Sequence, residues 1–178
     1  MNKVLICGFM GSGKTTILRR LKQSDASSNP ELEFLDLDEL ILQQNAKPKE
    51  GMHEMITRLG WKTFRDKEQA ILKELVEDES KCFIVALGGG SLNGNSEWLK
   101  QYQDIGEAAL VWLDTPLDQC IAQARRGGDR PLLKKSGREL EELYAERLTQ
   151  YSQANISLTP QEQEQIHTWE QLQALLKK

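Results

Sequence analysis

Apolar residues along this chain fall into short solid runs, separated by longer stretches in which they recur every three or four positions. Lys3-Val4-Leu5-Ile6-Cys7, residues 81–87 (KCFIVAL) and residues 108–113 (AALVWL) are nearly continuous. Without polar alternation they predict strands covered on both faces. Residues 32–37 predict another strand, and residues 155–159 a short last one. Between the runs, residues 14–23 carry Ile17, Leu18 and Leu21 at helical spacing. Trp61, Phe64, Ile71, Leu72, Leu75 and Val76 repeat that spacing over a longer helix. Further helices are expected from Asp38, over 97–103, behind the Asp114-Thr115-Pro116 cap to about Arg126, over 138–154, and, amphipathic, over 162–178. Residues 25–30, 47–51 and 127–131 read as breaks. Strands separated by helices imply crossover units and a parallel sheet. The fold class is therefore α/β: an open parallel sheet of about five strands flanked by helices, in a single domain spanning 1–178. Ligands in such sheets meet the carboxyl ends of the strands. The residues after Cys7, Leu35, Leu87 and Leu113 should face one crevice.

Charge and composition narrow the function classes. Twenty-three Lys+Arg against 27 Asp+Glu leave a net charge of −4, the wrong sign for non-specific nucleic-acid binding. No apolar run approaches the ~20 residues of a membrane span, and the first apolar run is too short for a signal peptide. Cys7, Cys82 and Cys120 lie far apart, are odd in number and form no CxxC pair, so neither a zinc site nor a disulfide framework is suggested. They read as small buried hydrophobes in a reducing cytoplasm. His53 and His167 stand alone and read as surface or packing residues.

Gly8-Phe9-Met10-Gly11-Ser12-Gly13-Lys14-Thr15 fits G-x-x-x-x-G-K-[ST], between a predicted strand and a predicted helix. Glycines let the backbone turn tightly and aim successive N–H groups inward. The helix that follows adds its positive end. Gly11, Ser12, Gly13, Lys14, Thr15 and Thr16 are thus expected to hold a nucleoside triphosphate, with Lys14 on the β- and γ-phosphates and the Thr15 hydroxyl on Mg²⁺.

Four features beyond this cradle bear on what the triphosphate does. Asp36 and Asp38 sit two apart at a strand end, placed for magnesium and a substrate hydroxyl; Asp38 also reads as an ordinary helix cap. Arg65 and Glu68, three apart, share a helix face, as a site pair or as a solvated pair. Gly88-Gly89-Gly90 is more glycine than a plain turn needs, which points to close approach of backbone and ligand. The stretch from Arg125 to Leu132 (RRGGDRPL) has the glycines and cations of a lid, or of a solvated basic linker. Taken by itself, Arg147 carries no message.

The ordered set GFMGSGKTT, LDLD, GWKTFRDKE, ALGGGS, RPLL and ERLTQY resembles the shikimate kinase family over about residues 3–160. The resemblance implies an ATP- and Mg²⁺-dependent kinase that phosphorylates the 3-hydroxyl of shikimate, a monomer in the cytoplasm with neither nucleic-acid nor membrane partners. It assigns Mg²⁺ to Asp36 with Thr15, and shikimate hydroxyls and the transferred proton to Asp38. The shikimate carboxylate falls to Arg65 and Arg147, and Glu68 supports Arg65. Gly88, Gly89 and Gly90 line the acid pocket, Arg130 contacts the phosphates, and Arg126 lies on the adenine side. Residues 38–68 form the acid-binding segment and 125–136 the lid. The chain departs from the family pattern at Trp61, where a Glu is usual, at Ile56, where a Phe is common, and in a longer polar stretch at 24–30. A kinase of another hydroxylated acid, such as gluconate, or a non-catalytic nucleotide-binding module are the alternatives. No Asn-Lys-x-Asp segment suggests a guanine-reading switch.

Overall fold

The computed structural model describes residues 2–126 and 135–177. In chain order the elements are β1 (Lys3–Cys7), α1 (Lys14–Asp25), β2 (Leu32–Asp36), α2 (Leu37–Asn45), α3 (Met52–Leu59), α4 (Trp61–Glu77) and β3 (Cys82–Ala86). There follow α5 (Ser96–Asp104), β4 (Ala108–Leu113), α6 (Leu117–Arg126), α7 (Gly137–Tyr151), β5 (Ile156–Leu158), α8 (Pro160–Gln165) and α9 (Trp169–Leu176). The sheet order is β2-β3-β1-β4-β5, and every pairing is parallel. The expected α/β architecture is therefore present. Strand order reverses around β1, so the turn after Cys7 lies at the switch point where such sheets bind ligands.

The solid apolar runs are explained by helices on both faces. Leu5 and Cys7 point into a core built with α2, α4 and α7, which includes Ile41, Leu72 and Leu140. Val4 and Ile6 point the other way, onto Leu18 and Leu21 of α1 and Trp169 and Leu172 of α9. The β1 strand is buried from end to end. At about 25 cal/mol per Å² of apolar surface, each such Leu or Ile contributes roughly 2 kcal/mol.

Three local expectations are corrected. The strand ends at Asp36 and the helix starts at Leu37, so Asp36, not Asp38, is the cap: its Oδ1 accepts from the N–H of Asp38 at 3.1 Å and of Glu39 at 3.4 Å. A separate helix, α3, fills the stretch before Trp61; Gly60, at φ 80°, breaks it from α4. The expected last helix is two, because Thr159 and Thr168 each cap a new start. The second start is pinned by the buried Asp25, whose Oδ2 accepts from the Trp169 N–H at 2.9 Å. Local periodicity could not show that contact across 144 residues.

Candidate active site

The P-loop runs from the end of β1 to the start of α1, beneath α6. At Gly11 the backbone stands at φ 76°, and a β-carbon there would lie 2.1 Å from the Cys120 carbonyl oxygen. Only glycine allows this approach. Lys14 Nζ curls back over the loop and donates to the carbonyls of Gly8 and Phe9, both at 2.8 Å. The Thr15 hydroxyl donates to Asp36 Oδ2 at 3.3 Å. Asp36 thus spends one oxygen on the α2 cap and presents the other to Thr15. Together they offer hard oxygen donors at the mouth of the loop, which suits Mg²⁺, an ion that keeps several waters and asks few ligands of the protein.

Two cavities meet here. One, of about 400 Å³, is lined by the P-loop, Thr15, Thr16, Asp36 and Asp38, and also by Arg19 and Gln123. The other, of about 820 Å³, is lined by Asp38, Arg65, Glu68, Gly88, Gly89, Gly90 and Arg147, and also by Met10, Met52, His53, Ile56 and Trp61. Asp38, Met10, Gly88 and Gly89 belong to both. The carboxylate of Asp38 therefore stands on the boundary between a phosphate-sized and an acid-sized space. Burial first, then the charges of Asp36 and Glu68, raise its carboxyl to about 6, against the opposing pull of Lys14 and Arg65.

The larger cavity has a cationic end. Arg65 forms an ion pair with the buried Glu68, and Glu68 Oε1 accepts from the Ser91 hydroxyl at 2.5 Å. The Arg65 guanidinium also lies against the rings of Trp61 and Phe64, 5.5 and 5.2 Å from their centroids. Arg147 reaches in from α7 over the Phe9 ring, at 5.3 Å. Its Nη1 is buried with no hydrogen-bond partner among the described residues. Burial holds this guanidinium below its ordinary value, and the Arg65 charge pushes the same way.

The two guanidinium groups flank one point. A β-carbon on Gly90 would lie 2.8 Å from Arg65 Nη2 and 3.1 Å from Arg147 Nη2. On Gly89 it would meet Arg147 Nη1 at 3.0 Å; on Gly88 it would meet Ser91 Oγ at 2.8 Å and Asp38 Oδ1 at 2.9 Å. None of the three stands in the left-handed region. They are glycines for lack of room, not for lack of conformational freedom.

The structure thus brings Lys14, Thr15, Asp36, Asp38, Arg65, Glu68, the glycine run and Arg147 to one crevice. Arg126 ends α6 exposed and lines neither cavity. Arg130, with the central part of the expected lid, lies outside the described residues. Sequence reasoning missed Gln123, Arg19 and His53 as cavity walls. His53 is exposed, as expected of a surface residue, and also lines the larger cavity. The helical spacing of Thr15 and Arg19 was the one available signal, since i and i+4 share a face.

The comparisons with known proteins agree with this geometry. The family model described as shikimate kinase matches residues 10–177. The shikimate kinase of Persephonella marina is 31% identical over 159 residues, which covers 89% of each chain. Among solved structures, the shikimate kinase of Aquifex aeolicus superposes with a TM-score of 0.73 at 27% identity, covering 98% of this chain and 94% of that one. The shikimate kinase of Acinetobacter baumannii in complex with shikimate superposes with a TM-score of 0.70 at 28% identity, covering 89% of this chain and 83% of that one.

Proposed function

The chain belongs to the shikimate kinase family, and from that premise we propose that it transfers the γ-phosphoryl group of ATP to the 3-hydroxyl of shikimate, giving shikimate 3-phosphate and ADP. One observation carries the reading of the substrate: two guanidinium groups flank Gly90, the buried carboxylate Glu68 pairs with Arg65, and Arg147 Nη1 is buried with no hydrogen-bond partner among the described residues. An organic carboxylate supplies the missing charge and acceptors. A buried unpaired donor costs roughly 1–3 kcal/mol, which acid binding recovers.

The chemistry follows from placement. Phosphoryl transfer needs the reactants aligned and the charge on the phosphoryl oxygens neutralised. Arg65 and Arg147 grip the acid at the far end of its cavity. Its hydroxyl then turns toward Asp38 on the boundary with the phosphate cradle. Asp38 orients that hydroxyl and takes its proton as the new P–O bond forms. A carboxyl at about 6 is ionised at neutral pH and still a better proton acceptor than an ordinary one. P-loop amides and Lys14 hold the phosphates. Thr15 and Asp36 would hold Mg²⁺, which would neutralise negative charge on the triphosphate. Arg130 is assigned to the phosphates and Arg126 to the adenine side on the family pattern, with a monomer in the cytoplasm as the working form.

The test is ADP release with MgATP and shikimate. We expect stoichiometric ADP and one phosphorylated product. ADP formation without an acceptor, or faster turnover with gluconate than with shikimate, would reject the assignment.

A further inference from the structure

The P-loop is braced from behind by residues that play no part in the mechanism above. The Thr115 hydroxyl, just past the end of β4, donates to the carbonyl oxygen of Ser12 at 3.0 Å. Gln163, on α8, donates from Nε2 to Thr115 Oγ1 at 3.1 Å and to the Leu158 carbonyl at 2.9 Å. The Thr115 hydroxyl has one proton, spent on Ser12, so it must act as acceptor toward Gln163. Ser12 and Thr115 are both buried. Gln163 packs directly behind the loop: a β-carbon on Gly13 would lie 3.2 Å from its Oε1.

These bonds act on one peptide plane. In a trans peptide the C=O and the following N–H point in opposite directions. Holding the Ser12 oxygen on the outer side therefore turns the Gly13 N–H to the inner side, toward the phosphate cavity. Gly13 is the N-cap of α1, so its amide sits at the positive end of that helix, where an anion binds. The plane would otherwise be free to rotate, because Gly13 stands at φ 102° and carries no side chain.

The brace is itself fixed at both ends. The Thr115 carbonyl accepts from Cys120 Sγ at 3.3 Å and from the Tyr144 hydroxyl at 3.2 Å. Arg20, on the helix that the P-loop opens, donates to the carbonyls of Gln163 at 2.7 Å and Ile166 at 3.0 Å. We propose that Thr115 and Gln163 are positioning residues for nucleotide binding, which hold the Ser12–Gly13 peptide with its N–H turned to the phosphates. The inference rests on the nucleotide reading of the P-loop and is independent of the acid substrate.

The test compares the full-length wild type with Thr115→Val, Thr115→Ser and Gln163→Leu, by calorimetry of MgADP binding and by steady-state kinetics. Valine keeps the shape and removes both hydrogen bonds; serine keeps both. Thr115→Val should weaken MgADP binding and raise the KM for ATP roughly five- to thirtyfold, the effect of one to two lost hydrogen bonds. The KM for shikimate and kcat at saturating ATP should stay within about threefold, and Thr115→Ser should restore nucleotide affinity. Gln163→Leu should lose about two- to fivefold in MgADP affinity. A folded Thr115→Val protein with wild-type MgADP affinity overturns the proposal, as does a KM for shikimate that rises in step with that for ATP. If Thr115→Val does not fold, Gln163→Leu decides: unchanged MgADP affinity overturns the proposal and the stated loss supports it. A wild type that binds MgADP without phosphorylating shikimate would sink the proposed function and leave this test standing.

Discussion

Adding one carbon at Gly90 tests the acid clamp with little risk to the fold. The β-carbon of Gly90→Ala falls 2.8 Å from Arg65 Nη2 and 3.1 Å from Arg147 Nη2. A relaxed contact between such atoms is about 3.5 Å, so the Arg65 tip must retreat by roughly 0.7 Å and the Arg147 tip by somewhat less. A charged hydrogen bond of about 2.8 Å to a carboxylate would then stretch to about 3.5 Å, beyond useful range. Such a bond is worth about 1.5–3 kcal/mol, so losing one raises the KM for shikimate roughly 10- to 150-fold. The backbone at Gly90 is not left-handed, and the obstructing atoms are ends of long side chains. The melting temperature should therefore hold within about 2 °C. Gly94→Ala is the opposite case: φ is 79° with nothing within 4 Å, so it should cost about 1 kcal/mol in backbone strain and leave KM alone. A coupled ADP-release assay with varied shikimate at saturating MgATP, beside a thermal melt of each variant, separates the two signatures. An unchanged KM in a folded Gly90→Ala protein would refute the two-arginine clamp.

Asp38 sets the acid limb of the rate. With its carboxyl at about 6, kcat should fall as pH drops below about 6, and a flat profile down to pH 5 would remove it as proton acceptor. The folded protein also binds that proton more tightly than the unfolded chain does. The stability this group contributes is full below its ordinary value of 3.8 and is lost as pH rises through about 6. Asp38→Asn should therefore cut turnover at least about 100-fold while raising the melting temperature more at pH 8 than at pH 4; a larger gain at pH 4 would contradict the sign. Lys14→Met should abolish ATP turnover, and a near-normal rate would reject the phosphate assignment. Arg20→Ala, which frees the carbonyls of α8, should lower the melting temperature by about 4–8 °C, the cost of roughly 2 kcal/mol in a chain of this length; an unchanged melt would show the staple to be idle.

What could be read from the sequence divides by distance along the chain. The β1 strand, the P-loop and α1 were legible because strand, turn and helix are consecutive and each is set by its own residues. The boundary at Asp36 was not, since two aspartates two apart both suit a cap. The choice fell to Asp36, at the end of a strand held in register against Ala86 of β3. The separate helix α3 was missed because its eight residues make little more than two turns, set between two breaks. The split of the last helix depends on Asp25, far away in sequence.

The candidate site divides the same way. Arg65 and Glu68 are three apart, yet their spacing could not distinguish a site pair from a surface pair. What settles their placement is that Glu68 is buried against Ser91, and that Gly90 brings its backbone between Arg65 and Arg147. The glycine run pointed to backbone against ligand; the described residues show backbone against the arginines, whose side chains come from residues 25 before and 57 after Gly90. Thr115 showed only as part of an expected helix cap, and Gln163 only as one position of a helix, because their meaning lies in one carbonyl on a loop 103 residues upstream of Thr115. Groups that touch ligand are set on motifs that recur with fixed spacing. Groups that hold those motifs in shape need only reach them through space, so a single sequence shows the first kind and conceals the second.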